Sequence, residues 1–476
     1  MGGSAPGEVA LASAKGRWVL ATTVLGSAMA MLDGSAVNIA LPRIGEDLHA
    51  PLSALQWAVD GYLLTLAGLI LLGGALGDRY GRRRVFLTGV VWFALASAAC
   101  GLAPDVEVLV AARALQGVGG ALLAPGSLAL IQAIFREQDR PAAVGLWSGL
   151  GGVAGALGPL AGGWLVGGPG WRWVFLINLP LAAVVLAIAL HQVPENRDES
   201  ASGRFDLGGA GLAALALGSL TAALTAASTA PALAAWAGAA AVVAGVAFVL
   251  VERRSAHPML PLDLFASRLF SVVNVATVLI YAALGGVLFF LVLELQVAAG
   301  FPPLEAGLST LPVTLLMLLF SPAAARLGQR IGPRLPLTLG PLLAGAGILM
   351  MLRIGADASY AADVLPAAVV LGAGMTLLVA PLTATALAAA EDRRAGIASG
   401  VNNAAARTGS LLAVAALPAL VGLSGTEYQR ASAVDGAFRG AMAICAGLMF
   451  AAAMLSWLAV RPAVRPAVRP ASRPEA

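Results

Sequence analysis

The chain has 476 residues, 59% hydrophobic and 11% charged, with a mean hydropathy of +0.86 and a net charge of +4. A soluble globular protein carries about 25% charged residues, so this chain lacks the polar surface to cover a water-soluble core, which excludes a soluble enzyme. The two cysteines, Cys100 and Cys445, fall in apolar stretches and the three histidines in loops. No disulfide framework, metal site or other cofactor is expected from such material.

A helix rising 1.5 Å per residue needs about 20 apolar residues to cross a hydrocarbon core about 30 Å thick. In chain order fourteen stretches meet that requirement, at roughly 18–41, 52–76, 84–103, 107–134, 142–166, 172–191, 207–226, 232–251, 269–297, 304–323, 335–353, 362–388, 397–421 and 437–459. The count rests on reading 207–251 as two spans broken around Pro231. The ten-residue alternation of a membrane barrel is absent. The chain reads as an all-α integral membrane protein with the lipid bilayer as its solvent.

With the N-terminus inside, 22 Lys and Arg fall on cytoplasmic segments and 5 on outer ones, while Arg113 and Arg407 lie within spans. That asymmetry predicts a multi-pass plasma (inner) membrane protein with both termini cytoplasmic. It also assigns the basic excess to anionic lipid and not to nucleic acid. The first apolar run is too long for a cleaved signal peptide. No loop exceeds about twenty residues and no GxxxxGK[ST] loop occurs, so neither a catalytic domain nor an ATP-driven pump is expected. The Pro-rich basic repeat that begins at Arg461 reads as a disordered tail.

The chain repeats itself at an offset of 251 residues. Leu76, Gly77, Arg79, Gly81 and Arg83 recur as Leu327, Gly328, Arg330, Gly332 and Arg334, and Gly145, Ser148 and Gly149 recur as Gly396, Ser399 and Gly400. The implied plan is two parallel six-helix bundles with two extra helices between them. Its boundaries are a cytoplasmic N-terminus at 1–17, the first bundle at 18–191, the additional helices and linkers at 192–268, the second bundle at 269–460 and the tail at 461–476.

Five motifs appear in order. They are Leu32-Asp33-Gly-Ser-Ala-Val-Asn38-Ile-Ala-Leu41-Pro42; Gly74-Ala-Leu76-Gly-Asp78-Arg79-Tyr-Gly81-Arg82-Arg83-Arg84; Arg113-Ala-Leu-Gln116-Gly117-Val-Gly119; Gly158-Pro159-Leu-Ala-Gly162-Gly163; and Trp171-Arg-Trp-Val-Phe-Leu-Ile-Asn178-Leu-Pro180. Together they resemble the major facilitator superfamily, and within it the fourteen-span drug:proton antiporters of the QacA/EmrB type. The resemblance implies the major facilitator fold, 14 transmembrane helices, and export over uptake.

Residue chemistry gives each motif a role beside that resemblance. In the loop motif (Gly74, Asp78, Arg79, Gly81, Arg82, Arg83), small residues let helix ends approach, and Asp78 can pair with an arginine or cap the next helix. A simple turn with positive-inside anchors is the compatible alternative. Gly155, Gly158, Pro159, Gly162 and Gly163 line one helix face, suited to close packing and a bend.

Charges inside spans cost at least a few kcal/mol each. Asp33, Asp60 and Arg113 sit at comparable depth in the first bundle, whereas Leu284, Leu311 and Val364 occupy the positions 251 residues on. A buried structural ion pair is one reading. The excess of acid over base favours another, in which Asp33 is the proton-coupling carboxylate tuned by Arg113, and Asp60 attracts a cationic substrate or shares the proton. Glu294 reads either as a substrate contact or as a solvated interfacial carboxylate. Asn402 and Asn403 are candidate substrate contacts, and Arg407 either lines the cavity or bonds nearby backbone. Trp57, Tyr62, Trp147 and Phe289 are candidate aromatic walls. Trp18, Trp92, Trp171 and Trp173 read as interface anchors.

The expected activity is proton-coupled export of a small lipophilic, cationic drug or secondary metabolite by a monomer working through alternating access. A symporter or uniporter for a small metabolite or organic anion is the alternative.

Overall fold

The computed structural model of the chain describes residues 9–195, 206–255, 258–389 and 395–460. The expected tail at 461–476, the first eight residues and most of the 192–206 linker lie outside the described residues. Among the described residues fourteen long helices follow one another: α1 Ala14–Asp47, α2 Leu52–Tyr80, α3 Arg82–Gly101, α4 Val106–Ile134, α5 Arg140–Gly167, α6 Arg172–Gln192, α7 Leu207–Ala226, α8 Pro231–Arg254, α9 Arg268–Ala298, α10 Pro303–Ile331, α11 Arg334–Arg353, α12 Tyr360–Ala388, α13 Ala395–Leu420 and α14 Ala431–Ala459. Thirteen are long and apolar enough to cross a membrane. The fourteenth, α13, runs 26 residues but carries Asn402, Asn403 and Arg407, which lower its hydropathy. The one strand-like contact among the described residues is a single bridge between Val9 and Phe135.

Local chemistry sets the helix ends. Side-chain oxygens of Ser13, Asp105, Asp206, Ser267 and Ser359 cap α1, α4, α7, α9 and α12 by accepting from first-turn amides. Pro231 opens α8, where a missing N–H costs nothing. The α2–α3 and α10–α11 turns hinge on Gly81 (φ +105°) and Gly332 (φ +81°), a backbone region that a side chain would strain. These two glycines are the same position of the 251-residue repeat.

The repeat is visible in packing as well. In the first half α1 packs on α5 and α6, and α4 on α2 and α3; in the second, α9 packs on α13 and α14, and α12 on α10 and α11. Arg83 donates to the Leu190 carbonyl near the end of α6 (2.8 Å), and its repeat partner Arg334 donates to the Trp457 carbonyl near the end of α14 (3.0 Å). Each arginine ties its bundle's third helix to its sixth, where unpaired carbonyls attract a cation.

The extra hairpin docks at the side. Helix α7 contacts both α2 and α13, with Gly68 facing Ala214 and Gly218 facing Leu64. Helix α8 leans on α7 and turns Trp236 (78% exposed), Val242 and Val243 outwards, as a lipid-facing helix requires.

Polar ties join the two halves at the face opposite the one holding the Gly81 and Gly332 turns. Gln56 of α2 donates to the Val414 and Ala415 carbonyls of α13 (2.7 and 3.1 Å), Gln296 to the Ile39 carbonyl (2.9 Å), Tyr428 to the Ala50 carbonyl (2.8 Å), and the Leu52 amide to Gly425 (2.8 Å). Burial pushes the Tyr428 phenol above its ordinary value, so the hydroxyl keeps its donor proton through the neutral range. The glycine face of α5 completes the seal: Gly158 and Gly162 abut Ser35 and Ala36 of α1, and Gly163 abuts Pro303 and Leu304 of α10. Helix α5 continues unbroken through Pro159. At the turn-bearing end the halves part. Nothing stands within 4 Å of the Cβ positions of Gly145, Gly149 or Gly152, and Thr383 and Asn403 on the second half are exposed.

A Cβ at Gly162 would lie 2.9 Å from the Ala36 backbone. Overpacking of this kind costs about 1–3 kcal/mol, so Gly162→Leu is expected to lower the melting temperature of the purified protein by several degrees. Gly152→Ala, with open space and a better helix former, is expected to leave it unchanged or raise it.

Candidate functional site

Two helices of the first bundle bring Asp33 and Arg113 together. Asp33 on α1 and Arg113 on α4 form an ion pair at 2.5 Å, both about 1% exposed. The Arg113 guanidinium also donates through Nη1 to Gln116 Oε1 (2.6 Å) and through Nε to the Ala58 carbonyl (2.9 Å). It stacks 4.3 Å over the Tyr62 ring and 5.8 Å from Phe175. The second carboxylate oxygen of Asp33 accepts from Gln116 Nε2 (2.7 Å) and Asn178 Nδ2 (3.1 Å), and both amides also donate to Ser97 Oγ. The geometry therefore favours the structural ion-pair reading for Asp33 in this conformation.

Asp60 is separate. It is 0% exposed, and neither carboxylate oxygen has a hydrogen-bond partner among the described residues. A lone carboxylate walled off from water is stable only with a proton on it, because an uncompensated buried charge costs several kcal/mol.

Residues that the sequence reading left without a role complete the network: Gln116, Ser97 and Asn178. Gln116 lies one helical turn after Arg113 and Asn178 lies within the motif that opens α6, so spacing offered a signal for the first. Nothing in the sequence linked Asn178 or Ser97 to Asp33.

The other candidates divide. Tyr62 is buried under Arg113, its hydroxyl 3.4 Å from the Ala30 carbonyl. Trp57 is half-buried, and Trp147 donates to Ser27 Oγ (3.0 Å). Asn402 is committed to α9, donating to Asn274 Oδ1 (3.2 Å) and Thr277 Oγ1 (2.9 Å). Asn403 is exposed in the vestibule between the halves. Arg83 and Arg84 of the loop motif reach Glu195 beyond α6, by the Arg83 amide at 3.1 Å and an Arg84 ion pair at 3.6 Å. The Arg79 guanidinium lies 5.6 Å over the Tyr80 ring, and Arg82 is half-buried. Gly74 lies near Pro125, and Gly155 has open space at its Cβ position. Asp78, expected to pair with an arginine or cap the next helix, has its side chain outside the described residues.

Four expectations need correction. Glu294 is not a solvated carboxylate and is not in the vestibule: it is fully buried in the closing π-turn of α9 and packs on α14, beside the Asp435–Arg439 ion pair (3.1 Å). Phe289 is 1% exposed and stacks edge-on to Phe290 in the core, because it falls on the face of α9 turned away from open space. Trp171 is no interface anchor: it is 1% exposed and donates to Asp47 at the end of α1 (2.9 Å). Arg407 bonds no backbone; it is half-buried with no hydrogen bond or ion pair among the described residues.

Breaking a buried pair by removing one partner costs about 3–5 kcal/mol. Arg113→Met is therefore expected to destabilise the protein strongly in thermal unfolding, and Asp33→Asn with Arg113→Met to recover much of the loss, since the charge left stranded is then gone.

The family model described as Major Facilitator Superfamily matches residues 23–252, 187–414 and 273–476. The chain is 37% identical over 409 residues to the tetracenomycin C resistance and export protein of Streptomyces glaucescens, covering 84% of this chain and 75% of that one. It is 35% identical over 467 residues to the puromycin resistance protein of Streptomyces alboniger, covering 93% and 91%. In fold it is similar to the inward-open xylose transporter of E. coli, with a TM-score of 0.63 and 16% identity over 94% of this chain and 96% of that one. A near full-length match, a duplicated six-helix plan and this architecture lead to one conclusion: the chain belongs to the Major Facilitator Superfamily.

Proposed function

We propose that the protein is a fourteen-span exporter of the antiporter type. It resides in the plasma (inner) membrane with both termini and the open vestibule cytoplasmic, and moves small lipophilic antibiotics or metabolites outward as protons move inward. Relatives named for antibiotic resistance and export support the direction and the cargo class. The arginine-rich turns at the open end support the orientation.

The observation that carries the exchange is the enclosed, unpartnered carboxyl group of Asp60, while the neighbouring acid is matched by Arg113. Asp60 is the proton carrier, and the Asp33–Arg113–Gln116–Asn178 network is the fixed polar core that positions α1, α4 and α6 around it. In the cycle, loss of the Asp60 proton towards the cytoplasm leaves a charge that hydrocarbon does not tolerate, and this drives the rearrangement that reopens the outer face. The sealing contacts of Gln56, Gln296 and Tyr428 are what must break. A proton entering down about 100 mV releases about 2.3 kcal/mol, enough to concentrate a neutral cargo about 50-fold. The loop motif and the glycine face of α5 serve this motion as bearings and not as binding groups.

The test is proton movement in proteoliposomes, driven by whichever compound from a panel of lipophilic antibiotics of either charge stabilises the purified protein against heat. Wild type is expected to dissipate a pre-formed pH gradient on addition of that compound. Asp60→Asn is expected to lose at least a hundredfold of the coupled proton flux while still binding the compound. Full coupling in Asp60→Asn contradicts the assignment.

A further inference from the structure

The vestibule carries a charge that the proton exchange leaves unused. Arg407 stands twelve residues into α13, about 18 Å from its start and thus near the membrane midplane. Gln56 fixes the register of α13 against α2 at Val414 and Ala415, which sets Arg407 about one turn nearer the cytoplasmic opening than Asp60. Its side chain is half-buried and has no ion pair or hydrogen bond among the described residues.

The span acids do not balance it. Asp33 is matched by Arg113, and Asp60 is sealed without partners. Glu294 lies at the opposite face beside Arg439, and Glu252 at the end of α8 accepts from the Leu260 amide. The neighbours of Arg407 on α13, Asn402, Asn403 and Ala406, line a recess of about 60 Å³ together with Tyr281, Thr383 and Ser399, and hydroxyl, amide and alkyl groups form the wall without a carboxylate. Asn403 stands one turn before Arg407 on the same side of α13, so the guanidinium continues the wall of that recess. A lone cation in a cleft with low-dielectric walls attracts an anion far more strongly than it would at a surface, and Tyr281 adds an aromatic ring to the recess wall.

We propose that Arg407 anchors a cargo subsite for an aromatic anion, a carboxylate or phenolate whose ring lies against Tyr281. This rests on reading the vestibule as the cargo path, and it departs from the cationic cargo that the sequence suggests. It has an energetic consequence. One proton in against one cargo out moves no net charge for a cation, one for a neutral compound and two for an anion. Each charge is worth a factor of about 50 in concentration ratio per 100 mV.

The probes are 1-naphthoate and its cationic counterpart 1-naphthylmethylammonium, titrated against the purified full chain by tryptophan fluorescence. Wild type is expected to bind naphthoate more tightly than the ammonium. Arg407→Gln is expected to weaken naphthoate at least tenfold and leave the ammonium unchanged or tighter, with Arg407→Lys retaining most of the naphthoate affinity. A wild-type preference for the ammonium, no naphthoate binding, or equal weakening of both probes in Arg407→Gln overturns the proposal. In proteoliposomes the two readings part. Proton flux driven by the ammonium and untouched by Arg407→Gln removes the anion subsite and leaves exchange standing. Naphthoate binding that depends on Arg407, with no proton flux for any cargo, removes exchange and leaves the subsite.

Discussion

A carboxylate and a guanidinium in hydrocarbon persist together only when nearly every lone pair and N–H around them is satisfied. The Asp33–Arg113 pair meets that demand with two amide side chains, a backbone carbonyl and an aromatic ring drawn from α1, α2, α4 and α6. The geometry of the first bundle follows from it. Four helices must hold fixed register for those groups to converge, and the seal above them, with Trp171 bonded to Asp47, closes the same end of α1. Asp60, one helix away and outside the network, is left as the group whose charge state can change.

The two halves share a scaffold but not a chemistry. Turn glycines, helix pairings and the arginine that ties third helix to sixth are duplicated, so the halves can move as similar rigid bodies. The polar core is not duplicated. The second half contributes instead a free cation and an amide-lined recess on the vestibule side. The proposed division, proton handling on one half and cargo contact on the other, is one in which the state of one site biases the other only through the relative position of the halves, as alternating access requires.

The spans, the repeat and the common depth of Asp33, Asp60 and Arg113 were legible because hydropathy and helical rise fix depth along each helix. Depth does not fix direction. Glu294 and Phe289 lie at the depths expected, yet the turn of α9 points them into protein. Trp171 lies at the interface by sequence but fits under the end of α1, where its N–H finds Asp47. Asp60 and Asp33 are alike as residues. Only the rotation of α2 relative to α4 decides that Arg113 reaches one and not the other, and no single-chain pattern encodes that rotation. Asn178 and Ser97 were hidden for the same reason, being polar groups that have meaning only through a partner on another helix.

The proposed exchange depends on whether Asp60 or Asp33 holds a proton in this conformation, open at the turn-bearing end. Infrared difference spectroscopy of the purified protein near neutral pH reads this directly, as a protonated-carboxyl stretch that shifts in heavy water. Asp60→Asn is expected to remove one component of that band, beside the component of buried Glu294, and Asp33→Asn to remove none. Loss of a component in Asp33→Asn with none lost in Asp60→Asn would contradict the proposed exchange.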